Sequence, residues 1–178
     1  MRAIIVVALS LLAPGALAQT GAWSDVECAQ SDIVLNKYTK CQRQAPYAGD
    51  EGRGEFHSQI ATYRSLSEFV YVYLLKPRIT FYSASVKIDP EVRERFLARP
   101  VPNNSGKTSD FSETIRLSNG HAKTFLYSPD WKCFSFSKDA PLRGVGAAYF
   151  LVGFACGKTP AWHTSEAMTA FIQKVDVK

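Results

Sequence analysis

The N-terminal segment constrains this chain most, because it decides which residues remain to fold and in which compartment they fold. Arg2 is followed by eleven residues that are apolar except for one serine, and Pro14-Gly15 then ends any helix. Ala16-Leu17-Ala18 supplies the small-x-small pattern that signal peptidase recognises. The sequence therefore predicts a signal peptide over residues 1–18, cleaved after Ala18, and a single periplasmic or secreted domain over residues 19–178.

The apolar run of this segment is too short for a membrane-spanning helix, which needs roughly 20 apolar residues. No later stretch is longer and equally apolar, so the sequence predicts no transmembrane segment. No cysteine follows Ala18 directly, which argues against a lipid anchor at that point. The alternative for the segment is a buried N-terminal strand or helix.

Cleavage would leave 160 of the 178 residues, which is enough for one domain with a hydrophobic core. Only Arg2 is charged in the part removed, so the net charge falls from +5 to +4 with histidine neutral. A modest positive charge favours anionic surroundings, such as an anionic envelope ligand. The basic residues are not concentrated enough to indicate nucleic-acid binding.

Four cysteines remain in the predicted mature domain: Cys28, Cys41, Cys133 and Cys156. An even number in an exported protein indicates two disulfides. Three pairings are possible, and Cys28–Cys41 with Cys133–Cys156 is favoured because each pair lies within one local segment. No C-x-x-C spacing and no histidine at zinc-finger spacing is present, so no metal site is predicted.

Strand-forming patterns dominate the mature chain. The segment Phe69–Leu75 is dense in β-branched and aromatic residues, which fit a pleated sheet. Ile79–Val86 is expected to pair with it as a hairpin. Glu55–Leu66 fits a helix and a strand equally well, whereas Asp89–Ala98 is predicted to form a short central helix because Asp89-Pro90 is a good helix start.

The C-terminal half predicts an antiparallel meander followed by a helix. Asn119-Gly120 suits a two-residue type I′ turn. The expected elements are strands over Phe111–Ser118, His121–Tyr127, Trp131–Ser137 and Ala147–Cys156 and a helix over Ser165–Val175. The predicted fold class is α+β: a mostly antiparallel sheet of about six strands, with a short central helix and a C-terminal helix packed on the sheet.

The candidate binding residues come from the aromatic strand. Side chains alternate between the two faces of a strand, so Phe69, Tyr71 and Tyr73 share one face. Tyrosine combines a flat apolar ring with a polar tip, and Lys76 and Arg78 follow directly, so this face would suit an anionic ligand or a partner protein. The alternative is a central strand that is buried on both sides.

Motifs for catalysis or cofactor binding are absent from the sequence. It contains no G-x-S-x-G, no H-E-x-x-H and no calcium-loop pattern, and no cofactor is predicted. His57, His121 and His163 do not share a local segment. If the protein were an enzyme, the first arrangement to examine would be His57 or His163 near Asp50, Glu51 or Glu55.

These features favour a small non-enzymatic binding or accessory protein of the cell envelope, with an unknown protein or an anionic envelope ligand as its partner. Two alternatives stay open. One is an exported hydrolase that acts on an envelope polymer, which would need a histidine and a carboxylate to converge in a cleft. The other is an inhibitor or immunity-type interaction protein, which would present a protruding loop.

Overall fold

A computed structural model describes residues 22–45, 47–48, 55–77, 110–143 and 146–178. These ranges contain thirteen β-strands, one α-helix and two 3₁₀ turns. The strands are β1 (Trp23–Val26), β2 (Ile33–Val34), β3 (Lys40–Gln44), β4 (Tyr47–Ala48), β5 (Glu55–Arg64), β6 (Glu68–Pro77), β7 (Ile115–Leu117), β8 (Gly120–Ser128), β9 (Trp131–Lys138), β10 (Leu142–Arg143), β11 (Gly146–Ala147), β12 (Phe150–Gly157) and β13 (Asp176–Val177). The helix is α1 (Ser165–Lys174), and the 3₁₀ turns are Cys28–Gln30 and Pro160–His163.

Nine of the described strands form one antiparallel sheet. Eight lie in the row β1-β3-β5-β6-β12-β9-β8-β7, and β4 pairs with β5 beside that row. Strand β12 follows the other eight in sequence but lies between β6 and β9, so it joins the N-terminal strands to the meander of β7, β8 and β9. Strands β10 and β11 pair with each other, as do β2 and β13.

The ambiguous segment Glu55–Leu66 is mostly strand. Residues from Phe56 to Arg64 pair with β6 in one continuous register, from Phe56 opposite Pro77 to Arg64 opposite Phe69. Ala61 is fully buried on one face of β5, and Ile60 points to the other face. Pairing with β6 supplies backbone partners along nine residues, and this hairpin pairing outweighs the helical spacing of the apolar side chains.

The hairpin of β7 and β8 turns one residue earlier than predicted. Leu117 pairs with Gly120, so the turn residues are Ser118 and Asn119, whereas Asn119-Gly120 was the predicted turn. Gly120 is needed for close packing instead, because a Cβ atom there would lie 2.1 Å from the carbonyl oxygen of Ser137. The predicted strand Phe111–Ser118 shrinks to the three residues of β7.

The predicted fold class is wrong. In the described ranges one nine-stranded antiparallel sheet dominates, and the only α-helix is α1, which begins at Ser165 as expected. The error has a physical reason: β1 is mostly exposed and polar, and β4 has only two residues, so neither shows the apolar alternation that identifies a strand. The predicted strand 79–86 and central helix 89–98 lie outside the described residues, as does Arg78. The expected hairpin of Phe69–Leu75 with 79–86 is wrong, because β5 and β12 occupy both edges of β6.

Both disulfides have the pairing that the sequence favours. Cys133 and Cys156 are directly opposite each other on β9 and β12, so this bridge staples two neighbouring strands of the sheet. Cys28 lies in the first 3₁₀ turn and Cys41 in β3, so the second bridge ties a surface turn to the sheet. The two disulfides are compatible with an exported protein.

One side of the sheet, here called the helix face, carries the main core. Val72 and Leu74 of β6, Leu151 of β12, and Phe134 and Phe136 of β9 are fully buried there. Helix α1 covers this face with Met168 and Ile172, which are also fully buried, and the ring of Phe171 contacts both phenylalanines of β9. Gly153 makes room for this core, because a Cβ atom there would lie 2.8 Å from the Phe136 ring.

The opposite side of the sheet, here called the aromatic face, has a smaller apolar cluster. Phe125 and Phe154 are buried around the Cys133–Cys156 bridge. Half-buried aromatic side chains surround them: Phe69, Tyr71, Phe111, Tyr127 and Trp131. The sheet is therefore apolar on both sides, but only the helix face is covered by α1.

Candidate functional site

The structure places the three predicted aromatic residues together on the aromatic face. Phe69 and Tyr71 both contact Phe154: the Tyr71 ring stacks on it at 5.5 Å between centroids, and the Phe69 ring meets it edge-on at 5.3 Å. Burial, followed by the charge of Tyr73, raises the pKa of Tyr71 above its ordinary value of 10.0. The half-buried rings thus serve partly as packing for Phe154, and as a binding surface they stay a prediction.

Tyr73 continues the same face toward the N-terminal strands. Its hydroxyl lies 3.1 Å from the Ser58 hydroxyl, and its ring makes an edge contact with Trp23 at 6.4 Å between centroids. Trp23 is one of two large apolar side chains of the described ranges that are exposed, the other being Leu66. The aromatic face therefore ends at an exposed tryptophan on the edge strand β1.

Lys76 does not extend the aromatic face, because residues 73 and 76 of one strand point to opposite sides of the sheet. Its Nζ lies 3.5 Å from the Asp32 carboxylate and donates a hydrogen bond of 2.9 Å to the carbonyl oxygen of Lys178. Lys76 thus ties β6 to Asp32 and to the residue that follows β13. The structure does not bring it together with Tyr71 and Tyr73, and Arg78 lies outside the described residues.

His163 has a structural role. Its Nε2 lies 3.0 Å from the carbonyl oxygen of Cys133 and 3.3 Å from that of Phe125. Carbonyl oxygens only accept hydrogen bonds, so this nitrogen carries a hydrogen and donates it to the β8–β9 pair. The histidine thereby anchors the second 3₁₀ turn to the sheet.

The other two histidines are far apart. His121 packs against Arg116, whose Nη1 lies 3.2 Å from both ring nitrogens, and Arg116 also pairs with Asp139 at 2.8 Å. His57 lies on β5, where it pairs with Lys76 of β6. Strands β6, β12 and β9 separate β5 from β8, which puts these two strands about 19 Å apart at the usual inter-strand spacing. Within the described ranges no group of three or more histidine, cysteine, aspartate and glutamate side chains is placed to hold a metal ion.

A cavity under α1 is the candidate ligand site of the described residues. It has a volume of about 450 Å³ and lies between the helix, the loop that follows β2, and the paired ends of β5 and β6. Its buried floor is formed by Val70 and Val175. The remaining lining residues are Leu35, Asn36, Lys37, Tyr63, Glu68, Thr159, Trp162, Ala167, Ala170, Phe171 and Lys174. We call this space the α1 cavity.

The loop wall of the α1 cavity is held in place by hydrogen bonds and a disulfide. The Tyr38 hydroxyl donates to the carbonyl oxygen of Ile33 at 2.9 Å and accepts the backbone N–H of Leu35 at 2.7 Å. The same loop runs between β2 and β3, and β3 carries the Cys28–Cys41 bridge. This wall is therefore preformed, which reduces the entropy that binding would cost.

The wall of the α1 cavity that Trp162 and Phe171 form depends on Gly157 of β12. Trp162 packs so closely on β12 that a Cβ atom at Gly157 would lie 1.8 Å from its Nε1. The Trp162 ring also contacts Phe134 and Phe171, each at 5.9 Å between centroids. Helix α1 begins directly after this turn, where the Thr164 side chain accepts the N–H of Ala167 at 3.2 Å. Packing on β12 thus positions Trp162, and the helix cap at Thr164 positions the start of α1, which carries Phe171.

Charged groups stand at the rim of the α1 cavity. Lys37 and Lys174 are exposed, and Glu68 is half-buried at the start of β6. The Lys37 Nζ lies 5.5 Å from the centre of the Tyr63 ring, which is a cation–π contact. An apolar interior with charge at the opening is suited to an amphipathic molecule.

Sequence reasoning missed the α1 cavity because its walls come from four separate segments. Among the lining segments, only α1 has a pattern that can be recognised in the sequence, namely its amphipathic spacing. That pattern indicates only that Met168, Phe171 and Ile172 face the sheet. It does not indicate that Ala167 and Ala170, the small residues beside that stripe, leave space next to Trp162.

Comparison with known proteins does not assign the chain to a family. No protein-family model matches it, and neither the curated proteins nor the solved structures provide a match. The described residues contain no helix that is long and apolar enough to span a membrane.

Proposed function

We propose that this chain is an exported, non-enzymatic binding or accessory protein of the cell envelope, and that the α1 cavity holds the apolar part of a small ligand. The observation that carries the proposal is the cavity itself. Its volume of about 450 Å³ falls in the range of roughly 300–1,000 Å³ that is typical of ligand pockets. Eight of its thirteen lining residues are apolar or aromatic.

The dispersed histidines give the hydrolase alternative no support. His163 donates to backbone carbonyls, and His121 lies in an ion-pair cluster with Arg116 and Asp139. General acid–base catalysis needs such groups within hydrogen-bond reach of one reacting point. None of the three histidines lines the α1 cavity, so the proposed binding function does not draw on them.

A substitution on the exposed wall of the cavity tests the proposal without disturbing the core. Ala170 lines the α1 cavity but is exposed on the helix, so Ala170→Phe fills the space from the rim. Gln173→Phe is the matched control, because Gln173 is exposed on the same helix and does not line the cavity. The probe is N-phenyl-1-naphthylamine, a neutral apolar dye whose fluorescence rises when it leaves water.

The purified, oxidised protein should bind this dye saturably at one site. Ala170→Phe should weaken binding about tenfold or more, which corresponds to at least about 1.4 kcal/mol of lost binding energy. Gln173→Phe should bind like the wild type. Absence of saturable binding, or equal binding by Ala170→Phe, would refute the cavity as a ligand site.

Export is tested separately from binding. The small residues Ala16 and Ala18 are expected to be essential for cleavage, since signal peptidase accepts only small side chains there. Protein recovered outside the cytoplasm should begin at Gln19, and a variant with Leu at both alanine positions should retain its N-terminus. N-terminal sequencing of the two proteins decides the point, and a wild-type protein that keeps Met1 would contradict the proposal.

The predicted surface of Phe69, Tyr71 and Tyr73 is kept as a second contact surface in this proposal. It is supported by the half-buried position of the three rings and by the exposed Trp23 at its edge. A flat array of amphipathic rings is typical of contacts with a partner protein. Charge from Lys76 is no longer part of that surface.

A further inference from the structure

The rim of the α1 cavity carries two lysines, Lys37 and Lys174. Other lysines of the described ranges vary in their partners: Lys40 pairs with Asp25 at 2.9 Å and Lys138 with Asp176 at 3.4 Å, whereas Lys158 lies over the Trp131 ring. Lys37 and Lys174 have no carboxylate partner among the described residues. Two unpaired ammonium groups therefore stand at the opening of one apolar cavity.

This arrangement rests on the proposed function and narrows its ligand class. We propose that the α1 cavity binds an amphipathic molecule with an anionic head group, such as a carboxylate, sulfonate or phosphate. The apolar part lies against Val70, Trp162 and Phe171, and the head group lies between Lys37 and Lys174 at the rim. Ammonium groups at the opening of an apolar cavity attract an anion and can stay exposed to water themselves.

The one acidic residue at the rim, Glu68, should affect the affinity for an anion in the opposite direction from the two lysines. Glu68 lines the same cavity, is half-buried and has no cationic partner among the described residues. The lining therefore carries one positive charge in excess, from two lysines against one glutamate. Glu68 repels an anionic head group, so its removal has the opposite effect on affinity from removal of a lysine.

Lys37 is already poised for this role by its surroundings. It stands over the Tyr63 ring at 5.5 Å, and its backbone belongs to the loop that the Tyr38 hydroxyl holds in place. An anion that reaches Lys37 thus meets a cation whose position is restricted, which lowers the entropy cost of the contact. Lys174 approaches from the opposite wall, at the last turn of α1.

Two dyes with one skeleton separate this inference from the proposed function. N-phenyl-1-naphthylamine is neutral, whereas 8-anilinonaphthalene-1-sulfonate carries a sulfonate on the same anilinonaphthalene frame. The double variant Lys37→Gln with Lys174→Gln should lose about three- to tenfold in affinity for the sulfonate, as expected for exposed ion pairs. Its affinity for the neutral dye should stay within twofold of the wild type. Glu68→Gln should bind the sulfonate more tightly and the neutral dye unchanged.

Lys40→Gln is the matched control, because it removes an exposed lysine that does not line the cavity. It should leave both affinities unchanged. Raising the ionic strength from about 0.01 to 0.15 M should weaken binding of the sulfonate only, since salt screens exposed charges. Circular dichroism and the thermal midpoint confirm that each variant keeps its native fold before dye is added.

The outcomes distinguish the two proposals. If neither dye binds, both are overturned. If the neutral dye binds but the lysine variants leave sulfonate affinity unchanged, or Glu68→Gln weakens it, the cavity is an apolar site and the anionic ligand class is overturned. A selective loss in the double variant, with Lys40→Gln silent, supports the anionic amphipath.

Discussion

The two faces of the central sheet are both rich in apolar side chains, yet they are completed differently. On the helix face, Phe134 and Phe136 are fully buried beneath Phe171 of α1. On the aromatic face, Tyr71 and Phe69 remain half-buried around Phe154. The difference shows that apolar alternation alone does not distinguish a core from a contact surface, because what covers a face decides how much of it is removed from water.

The largest expected effect tests whether the helix face is the dominant core. Phe134→Ala should lower the free energy of unfolding by about 3–5 kcal/mol, since it leaves a cavity beneath Phe171 and Trp162. Tyr71→Ala, on the other face, should cost only roughly 1–2 kcal/mol because its ring is half-buried. Urea unfolding followed by circular dichroism measures both values. A Tyr71→Ala protein that is as unstable as Phe134→Ala would mean that the aromatic face is equally core.

The two disulfides provide the next comparison, since one serves each region. In the loop-entropy model, replacing either pair by alanine should cost about 3 kcal/mol. The Cys28–Cys41 replacement should also weaken dye binding, because that bridge supports the loop wall of the α1 cavity. The Cys133–Cys156 replacement should not, because this bridge lies on the aromatic face. Equal dye affinity in the two double variants would contradict the assigned role of the first bridge.

A smaller effect compares one tyrosine hydroxyl from each face. Tyr73→Phe removes the hydrogen bond between the Tyr73 and Ser58 hydroxyls and should cost about 1 kcal/mol. Tyr63→Phe, at the α1 cavity, is the matched control, since the structure gives its hydroxyl no partner among the described residues. It should cost less than about 0.5 kcal/mol. Thermal unfolding of the two variants side by side measures the difference, and a larger loss in Tyr63→Phe would reverse the assignment.

The smallest expected effect is on the folding stability at alkaline pH. Burial raises the pKa of Tyr71, and burial followed by the charge of Asp176 raises the pKa of Tyr149 in the helix-face core. A folded-state pKa above the unfolded value of 10.0 means that the stabilisation is complete below pH 10 and is lost as the pH rises through the folded pKa. The double variant Tyr71→Phe with Tyr149→Phe should therefore lose less stability than the wild type between pH 9 and pH 11.

A control variant that keeps every ionisable group tests this prediction for alkaline pH. Phe69→Leu alters the aromatic face but removes no ionisable group, so it should lower stability by the same amount at pH 9 and pH 11. Denaturant midpoints at the two pH values measure both effects. If the double tyrosine variant follows the wild type across this range, burial of the two phenols does not control the alkaline stability.

Local elements were predictable where the pattern is long and self-contained. The strand around Phe69–Leu75 and the helix that begins at Ser165 were recognisable because dense β-branched residues and a one-sided apolar stripe act within the segment itself. The number of strands was not predictable in the same way. Strands such as β1 and β4 exist only because a neighbour offers backbone partners, and their own residues show no strand pattern.

The candidate site shows the same division. The grouping of Phe69, Tyr71 and Tyr73 follows from the two-residue period of a strand, so the sequence placed them on one face. The same period places Lys76 on the other face, and the structure engages it with Asp32 and Lys178. The α1 cavity could not be found from sequence, because its small and large lining residues meet only when separate segments pack together.

The sequence by itself determined the period of each strong strand, the amphipathic helix, and the favoured cysteine pairs, because these depend on neighbours close along the chain. The tertiary structure decided that β12 lies between β6 and β9, that Gly157 leaves room for Trp162, and that Lys37 and Lys174 line one cavity. These outcomes depend on contacts between residues far apart in sequence, whose free energy arises from packing and is not encoded in any single segment.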